Sequence, residues 1–317
     1  MSTVVVTGVS SFVGCHLARH WASRGHQVIG MLSRPRREYD GVAAQRLASI
    51  EPLVKLDHLD LRKPDDIPAL VERTTPDLWI HHAGYAASYA SFDYDLDAGH
   101  AINVAPLTSL FAALAGTRCG VILTGSSAEY AARDRGNRED DACCPETPYG
   151  LSKLTATLRA RQLARQRNVS TRVARLYIPF GRLDNPNKLL AQTVAKLRAN
   201  EPIALSSCEQ KRDVVGISDV CSIYERLADD LPRTRFDIFN VGRGEGVVLR
   251  DLLIRVADQL GASRDLLRFG AHPMRPGEPA ASFANIGKAR RLLQWTPAPL
   301  AEALARDLLG EPQMTLT

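Results

Sequence analysis

The start of the chain has the pattern of a β-strand, a glycine-containing turn and a helix in direct succession. Residues 3–7 are a β-branched run typical of a buried strand. The turn reads Gly8-Val9-Ser10-Ser11-Phe12-Val13-Gly14, and an amphipathic helical pattern follows it. Glycines at both ends permit a tight turn and close packing of the helix on the strand. This feature predicts an α/β fold with a parallel sheet.

The same turn suits the pyrophosphate of a dinucleotide, because its N–H groups and the helix N-terminus would face an anion. Cofactor contacts are therefore predicted at Gly8, Ser10, Ser11, Phe12, Val13 and Gly14. Ser11 stands where the usual spacing has its middle glycine. It weakens the motif, although its N–H can still bind a phosphate and its hydroxyl could reach one. An ordinary strand–helix turn is the alternative.

The end of the second predicted strand, residues 26–32, indicates which dinucleotide binds. An NAD site usually has a carboxylate there for the ribose hydroxyls. This chain instead reads Ser33-Arg34-Pro35-Arg36-Arg37, with no acidic residue before Glu38. Guanidinium groups suit a 2′-phosphate, so the loop favours NADP over NAD, with contacts from Arg34 and Arg37. The alternative is a solvated basic loop.

Strand-like and helix-like segments continue to alternate along the first half of the chain. This alternation predicts a Rossmann-type, doubly wound parallel sheet, in which ligands bind at the carboxyl ends of the strands. Helices are expected at residues 64–73 and 101–114, and a strand is expected to end at residues 175–181. Further cofactor contacts are predicted at strand ends, at Asp60, Leu61, Ala83 and Gly84.

The second half of the chain predicts a smaller α/β substrate domain. We expect residues 1–175 to form the dinucleotide-binding domain, which also receives segments near 212–242, and residues 176–317 to form most of the substrate domain. The two halves are therefore expected to interleave. A strand at residues 236–241 and helices at 249–260 and 288–293 belong to this part.

Composition limits the classes of partner. The 317 residues are 45% hydrophobic, with a net charge of +5 that suits small anionic substrates without requiring nucleic acid. The six cysteines lack metal-ligand spacing, and the neighbours His81 and His82 would point to opposite faces of a strand, so no metal site is expected. Reduced cysteines, no signal peptide and no membrane span predict a cytoplasmic protein.

Tyr149 and Lys153 are four residues apart on a predicted helix that begins at Pro148, with Thr147 as its N-cap. Residues at this spacing share one helix face. An ammonium group beside a phenol favours the phenolate, so Tyr149 would be able to exchange a proton near neutral pH. A surface pair on a helix is the alternative for this motif taken alone.

Taken together, these motifs resemble the extended short-chain dehydrogenase/reductase family, in its nucleotide-sugar epimerase/dehydratase branch. The resemblance covers nearly the whole chain. Its segments are Thr7-Gly8 to Leu17, Ser126-Ser127-Ala128-Glu129-Tyr130, Pro148 to Lys153, residues 211–220, 239–242 and 275–279. Ser11, Ala131 and Asn285 depart from the family pattern.

The resemblance implies roles for individual residues. Tyr149 would be the general acid or base, Lys153 would bind the nicotinamide ribose and lower the pKa of Tyr149, and Ser127 would hydrogen-bond the reacting oxygen. Ser126 would be structural. Glu129 would be either a base or a structural carboxylate. Arg212 and Arg275 would bind the diphosphate of the substrate, with surface salt bridges as the alternative.

The resemblance is nearest to the GDP-4-keto-6-deoxy-mannose reductases. It implies NADPH-dependent reduction of a 4-keto nucleotide sugar in deoxysugar or surface-polysaccharide biosynthesis, by a homodimer that pairs through the Tyr149 helix and the helix at 101–114. The alternatives are an NAD(P)-dependent C4-epimerase, a 4,6-dehydratase, and a non-catalytic dinucleotide-binding regulator. Cys144, a few residues before Tyr149, is a further candidate for the catalytic acid.

Overall fold

The computed structural model describes residues 1–274 and 278–310. The strands in these residues are β1 (Thr3–Thr7), β2 (Gln27–Leu32), β3 (Lys55–His58), β4 (Leu78–His81), β5 (Gly120–Ser126), β6 (Thr171–Leu176), β7 (Ile178–Phe180), β8 (Ile203–Ala204), β9 (Lys211–Arg212), β10 (Val214–Gly216), β11 (Phe236–Val241), β12 (Val247–Val248), β13 (Leu267–Arg268) and β14 (Ala281–Ser282). The α-helices are α1 (Phe12–Ser23), α2 (Gly41–Ala48), α3 (Ile67–Thr74), α4 (Leu96–Asn103), α5 (Pro106–Leu114), α6 (Pro148–Arg167), α7 (Leu189–Arg198), α8 (Ile217–Asp230), α9 (Leu249–Leu260), α10 (Gly287–Leu293) and α11 (Leu300–Leu304).

Seven strands form one parallel sheet in the order β11-β6-β5-β4-β1-β2-β3. The chain runs outward from β1 to β3 on one side and from β4 to β6 on the other. The direction of winding therefore reverses between β1 and β4, and the crevice at the carboxyl ends of these two strands is where such sheets bind ligands. The predicted Rossmann-type fold class is confirmed.

Helices cover both faces of the sheet. One apolar core lies under α1, α2, α8 and α10, and includes Leu17, Leu47 and Tyr224. The other lies under α3, α5 and α6, and includes Phe111 and Leu163. Because both faces are covered, the central strands are buried along their length, which explains the continuous apolar run at the start of the chain.

A third apolar core belongs to the smaller part of the molecule, which packs α7, α9 and α11 around residues such as Phe180, Leu253 and Leu304. Its short strands pair in small sheets: β7 with β10, β8 with β13, and β9 between β12 and β14. The chain returns from this part to the large sheet, where β11 pairs with β6. Within the described residues, no helix has the length and hydrophobicity that crossing a bilayer requires.

Two predicted elements differ from the structure. The single helix expected at residues 101–114 is two helices, α4 and α5, because Pro106 has no N–H to donate and its ring obstructs the preceding turn. The strand end expected at 175–181 is divided, since β6 ends at Leu176 and β7 pairs instead with β10 in the smaller part. Because of this division, β6 belongs to the large sheet, whereas β7 belongs to the wall on the opposite side of the crevice.

Candidate active site

A cavity of about 1240 Å³ runs along the carboxyl ends of the central strands. On the sheet side its wall consists of the turn after β1, the ends of β4 and β5, and the first turns of α6. On the opposite side it is lined by β7, the start of α7, and Arg212 on β9. The large sheet and the smaller part thus contribute facing walls, as a site for an extended ligand requires.

The turn after β1 approaches the end of β4 closely. Gly8 has φ +75°, and a Cβ placed there would lie 2.9 Å from the Cα of Ala83. A Cβ on Gly14 would lie 2.2 Å from the Gly8 carbonyl oxygen. Both positions therefore require glycine. The result is an open backbone cradle at the N-terminus of α1, which fits a pyrophosphate.

Ser11 acts as the N-cap of α1. Its Oγ donates to the Gly8 carbonyl at 2.7 Å and accepts from the Gly14 N–H at 3.1 Å. The hydroxyl is thus engaged within the turn, so its proton is given to the Gly8 carbonyl and not left for a phosphate. Its backbone is extended, with φ −81°, so this position does not need the glycine of the usual motif. The substitution leaves the cradle intact.

The predicted cofactor residues divide into two groups. Those that line the cavity are Gly8, Ser10, Ser11, Asp60, Leu61, Ala83, Gly84, Tyr149 and Lys153. The side chains of Phe12 and Val13 are buried in the first turn of α1, and Gly14 packs against Gly8, so these three could offer a ligand only backbone groups. Asp60 is turned toward Arg62, whose Nη2 lies 2.8 Å from its carboxylate.

The basic loop after β2 lies at the rim of the cavity. Ser33 is part of the wall, and the guanidinium of Arg34 stacks on the Tyr39 ring, 4.5 Å from its centroid. Arg36 is paired with Glu51. Arg37 is exposed, and neither it nor Arg34 lines the cavity. Tyr39 thus orients one cation at the rim, beside Ser33.

Tyr149 occupies the first turn of α6. Thr147 is the N-cap, accepting from the Gly150 N–H at 3.1 Å, and Pro148 opens the helix, as predicted. A Cβ on Gly150 would lie 2.2 Å from the Ala128 carbonyl, so this glycine lets the helix approach the segment after β5. One turn later, Lys153 donates from Nζ to the Thr124 carbonyl at 2.6 Å.

Of the two serines, Ser126 is the one whose side chain acts on Tyr149, lowering the pKa of its phenol. Ser126 is the last residue of β5, and its Oγ also accepts from the Ala128 N–H at 3.2 Å. Ser127 begins a short 3₁₀ turn (Ser127–Glu129) and lines the cavity, but it is not among the groups that shift the pKa of Tyr149. This difference favours Ser126 as the serine that acts with Tyr149, whereas the sequence pointed to Ser127.

Burial raises the pKa of Tyr149 to about 12, and the hydrogen bond from Ser126 opposes this shift. The expected lowering by Lys153 is not found among the influences on Tyr149, because the ammonium is directed at Thr124 instead. Burial also lowers the pKa of Lys153. Burial therefore favours the protonated form of the Tyr149 phenol.

Glu129 is wholly buried and does not line the cavity. Its Oε2 accepts from Arg175 Nε at 2.8 Å, and its Oε1 accepts from the Ser126 N–H at 2.9 Å. Both carboxylate oxygens of Glu129 are therefore hydrogen-bonded, one of them to the residue that precedes the 3₁₀ turn. This geometry favours the structural alternative for Glu129 and leaves it no free oxygen for a substrate.

A cluster of tyrosines surrounds Tyr149 and was not predicted. Tyr94 and Tyr89 lie edge-on to its ring, with centroids 5.7 and 5.9 Å away. Buried Asn103 fixes this loop, since its Oδ1 accepts from the Tyr85 N–H at 2.7 Å and its Nδ2 donates to Ser152 Oγ at 2.9 Å. The spacing of aromatic residues after the fourth strand was the available signal.

The opposite wall contains one of the two predicted substrate arginines. Arg212 lines the cavity, and its Nη2 donates to Glu278 Oε1 at 2.7 Å. The pair is mostly buried, unlike a surface salt bridge. Gln210 donates to the same carboxylate oxygen at 3.1 Å. Arg275 lies outside the described residues.

Cys144 is exposed and does not line the cavity. Its neighbour Cys143 accepts a hydrogen bond from Arg175 Nη2 at 3.1 Å and also lies off the cavity wall. Neither thiol is directed at Tyr149, so the geometry gives no support to a cysteine acid. Within the described residues, no group of acidic, histidine or cysteine side chains could hold a metal ion.

Known proteins resemble this chain in sequence and in fold. Residues 4–242 match the model of the NAD dependent epimerase/dehydratase family. The chain is 32% identical over 141 residues to the dTDP-4-dehydro-6-deoxyglucose reductase of Escherichia coli, a match that covers 43% of this chain and 44% of that protein. It is 22% identical to the CDP-paratose 2-epimerase of Salmonella typhi, over 93% of this chain and 94% of the relative.

Solved structures share the fold over almost the full length. A UDP-glucose-4-epimerase from Stenotrophomonas maltophila, with bound NAD and formylated UDP-arabinopyranose, has a TM-score of 0.83 at 22% identity and covers 97% of this chain and 96% of its own. A dTDP-glucose 4,6-dehydratase from Bacillus anthracis str. Ames in complex with NAD has a TM-score of 0.80 at 15% identity, with 96% of each chain covered. At these identities the likeness concerns the fold.

Proposed function

Because this chain belongs to the NAD dependent epimerase/dehydratase family, we propose that it reduces a 4-keto nucleotide-activated sugar with NADPH. The family consists of enzymes that modify nucleotide sugars by oxidation and reduction. The observation that carries the proposal is the protonated Tyr149 beside Ser126 and Lys153, in the crevice that also contains the glycine turn. A bound dinucleotide would supply the hydride.

In this proposal each residue of the site has a defined role. Tyr149 gives its proton to the oxygen of the ketone as that oxygen becomes an alkoxide. Ser126 donates a hydrogen bond to the same oxygen and stabilises the charge that develops on it. Lys153 binds the ribose next to the nicotinamide. Arg212 binds the diphosphate of the substrate, together with Arg275, and Glu278 orients the Arg212 guanidinium.

The state of two groups supports reduction over the alternatives. A reductase needs the protonated phenol at the start of the reaction, and burial keeps Tyr149 in that form. An epimerase or a dehydratase must first remove a proton from a sugar hydroxyl, for which the phenolate is required. A dehydratase also needs a free carboxylate near the sugar, and Glu129 is engaged by Arg175 and the Ser126 N–H.

A C4-epimerase is the second candidate, and the relatives favour it, since most of the similar curated proteins are epimerases. The two reactions differ in their use of the cofactor. A reductase consumes one hydride donor for each sugar, whereas an epimerase regenerates the cofactor in place.

We therefore expect purified protein to oxidise NADPH in proportion to a GDP- or dTDP-linked 4-keto-6-deoxy sugar over many turnovers. The measurement is the decrease in absorbance of the reduced cofactor, with the sugar product followed by chromatography. Conversion of a nucleotide sugar into an isomer without any net oxidation would establish the epimerase instead. Dinucleotide binding without conversion of any nucleotide sugar would favour a non-catalytic regulator.

Preference for NADPH depends on Arg34 in this proposal. Tyr39 orients its guanidinium at the cavity rim, where it can contact a 2′-phosphate. Arg34→Ala should weaken NADPH binding by roughly 10-fold, the cost of losing one charge-assisted contact, and NADH binding by less than about 2-fold. Fluorescence titration with each dinucleotide measures both affinities.

Arg36→Ala is the matched control, because it removes the same charge from the same loop but from a side chain paired with Glu51. It should affect both dinucleotides equally and weakly. Tighter binding of NADH than of NADPH by the wild type would refute the assignment of the cofactor.

We also propose that the protein is a homodimer, paired through the outer faces of α4, α5 and α6. Leu151 and Leu158 on α6 and Leu96 on α4 are between 42% and 45% exposed, and pairing of these helices would cover all three. Leu158→Arg should convert a dimeric mass into a monomeric one in light scattering at micromolar concentration. Leu53→Arg, at a leucine that is 51% exposed elsewhere, should leave the mass unchanged. A monomeric wild type would contradict the proposal.

A further inference from the structure

A chain of hydrogen bonds lies behind the Lys153 contact and connects three elements. The Tyr224 hydroxyl on α8 is 2.7 Å from Thr124 Oγ1 on β5, and this oxygen is 3.1 Å from Nδ1 of His82, which follows β4. Tyr224 is fully buried and Thr124 is 6% exposed. The backbone carbonyl of Thr124 is the one that accepts from Lys153.

The donors and acceptors in this series of hydrogen bonds can be assigned in only one way. Among the described residues, Thr124 is the sole hydrogen-bond partner of the Tyr224 hydroxyl, so the phenol must donate to it or leave a buried donor unpaired. The single hydroxyl proton of Thr124 is then left for His82 Nδ1. Burial lowers the pKa of His82 to about 3, so the ring is neutral and its one proton resides on Nε2.

His82 is part of the cavity wall, and its Nε2 has no hydrogen-bond partner within residues 1–274 and 278–310. This nitrogen is not among the enclosed side-chain atoms that lack a partner, so a ligand in the cavity can reach it. The backbone N–H of His82 donates to Thr7 Oγ1 at 3.0 Å, and Thr7 directly precedes the glycine turn. The donor therefore lies between that turn and Lys153, on the side proposed for the dinucleotide.

We propose that His82 is a further cofactor-binding residue, whose Nε2–H donates to an oxygen on the nicotinamide half of the dinucleotide, a ribose hydroxyl or the adjoining phosphate. Thr124 and Tyr224 are its positioning residues, because they fix the tautomer that carries the donor. This assignment rests on the proposed dinucleotide chemistry of the site. It adds a neutral donor to the cation supplied by Lys153.

Binding measurements test the contact without turnover. His82→Phe keeps an aromatic ring but removes the donor, and should weaken NADPH binding by roughly 3- to 10-fold, the usual worth of one hydrogen bond. Binding of adenosine 2′,5′-bisphosphate, which lacks the nicotinamide half, should not change. Equal loss for both ligands, or no loss for either, would overturn the proposal. If His82→Phe does not fold, His82→Leu replaces it.

A double-mutant cycle tests whether Tyr224 acts through His82. Tyr224→Phe should weaken NADPH binding by roughly 2- to 3-fold in the wild type, because Thr124 can then turn its proton away and allow the other tautomer. In the His82→Phe background it should have no effect on binding. An undiminished effect in that background would show that Tyr224 acts on binding by another route. Thr157→Val is the control, since it removes a buried hydroxyl from α6 that does not line the cavity.

The tautomer of His82 can also be measured directly, independently of ligand binding. In protein labelled with ¹⁵N-histidine, the His82 nitrogens, assigned by their absence in the His82 variant, should show a protonated Nε2 and an unprotonated Nδ1. Tyr224→Phe should produce a mixture, and Thr157→Val should not. A protonated Nδ1 in the wild type would overturn the proposal. Failure of the wild type to bind any dinucleotide would instead refute the proposed function, so the two failures are distinguishable.

Discussion

Tyr149→Phe is expected to lower kcat by roughly 10²- to 10⁴-fold while leaving the fold and dinucleotide binding intact. The reason is that the variant removes the hydroxyl that, in the proposed mechanism, gives its proton to the alkoxide as the hydride arrives. The ring itself packs against Tyr94 and Tyr89, and phenylalanine preserves those contacts. Steady-state kinetics, a dinucleotide titration and thermal unfolding measure the three properties separately.

The matched control is Thr157→Val, which removes a buried hydroxyl from the same helix at a residue that does not line the cavity. Its kcat should stay close to that of the wild type. A variant at Tyr149 that turns over at the wild-type rate would remove this residue from the mechanism. A variant that no longer binds the dinucleotide would indicate that the hydroxyl supports the site structurally.

The fold was predictable because its signals are local and repeated. The apolar run of β1, the glycine turn and the N-cap at Thr147 each depend on a few neighbouring residues, and the structure has all three. The strand at Phe236–Val241 was also predictable from its own composition. Propensities of this kind agree with the final fold where no distant contact opposes them.

The helix at 101–114 was mispredicted because the apolar spacing continues across Pro106, while the backbone does not. The periodicity of buried side chains is preserved when two short helices pack against the same sheet. Proline was therefore the stronger signal at that position.

The details of the site depended on contacts that one sequence does not contain. Glu129 could be a base or a structural carboxylate until its distance to Arg175, which is far along the chain, was known. The effect of Lys153 on Tyr149 was overestimated, because helix spacing brings the two side chains to one face but does not decide where the ammonium is directed. The carbonyl of Thr124 attracts it.

The roles of the two serines were assigned differently from the sequence for a similar reason. Adjacent residues at the end of a strand point in different directions, and the chain leaves β5 between Ser126 and Ser127 to begin a 3₁₀ turn. Which serine faces α6 is determined by this turn and by the close contact of Gly150 with Ala128. Neither feature has a signature in the Ser-Ser pair itself.

Ser126→Ala should therefore lower kcat by roughly 10²- to 10³-fold, which is the usual cost of removing one donor to a developing oxyanion. Ser127→Ala should lower kcat by less than about 3-fold, because Ser127 is not expected to donate to that oxygen. The pair is a matched comparison, since each variant removes one hydroxyl from adjacent residues that both line the cavity. Ser126→Ala also removes the acceptor for the Ala128 N–H, which costs some stability, so thermal unfolding must be measured beside the kinetics.

Ser126→Thr separates the two effects, because it keeps a hydroxyl that can cap the turn and can donate to the oxyanion. Its kcat should recover most of the activity that Ser126→Ala loses. If Ser127→Ala proves to be the slower enzyme of the two, then the serine that approaches the substrate is not the one that hydrogen-bonds Tyr149. The hydroxyl of Tyr149 would in that case have to turn away from Ser126 during the reaction.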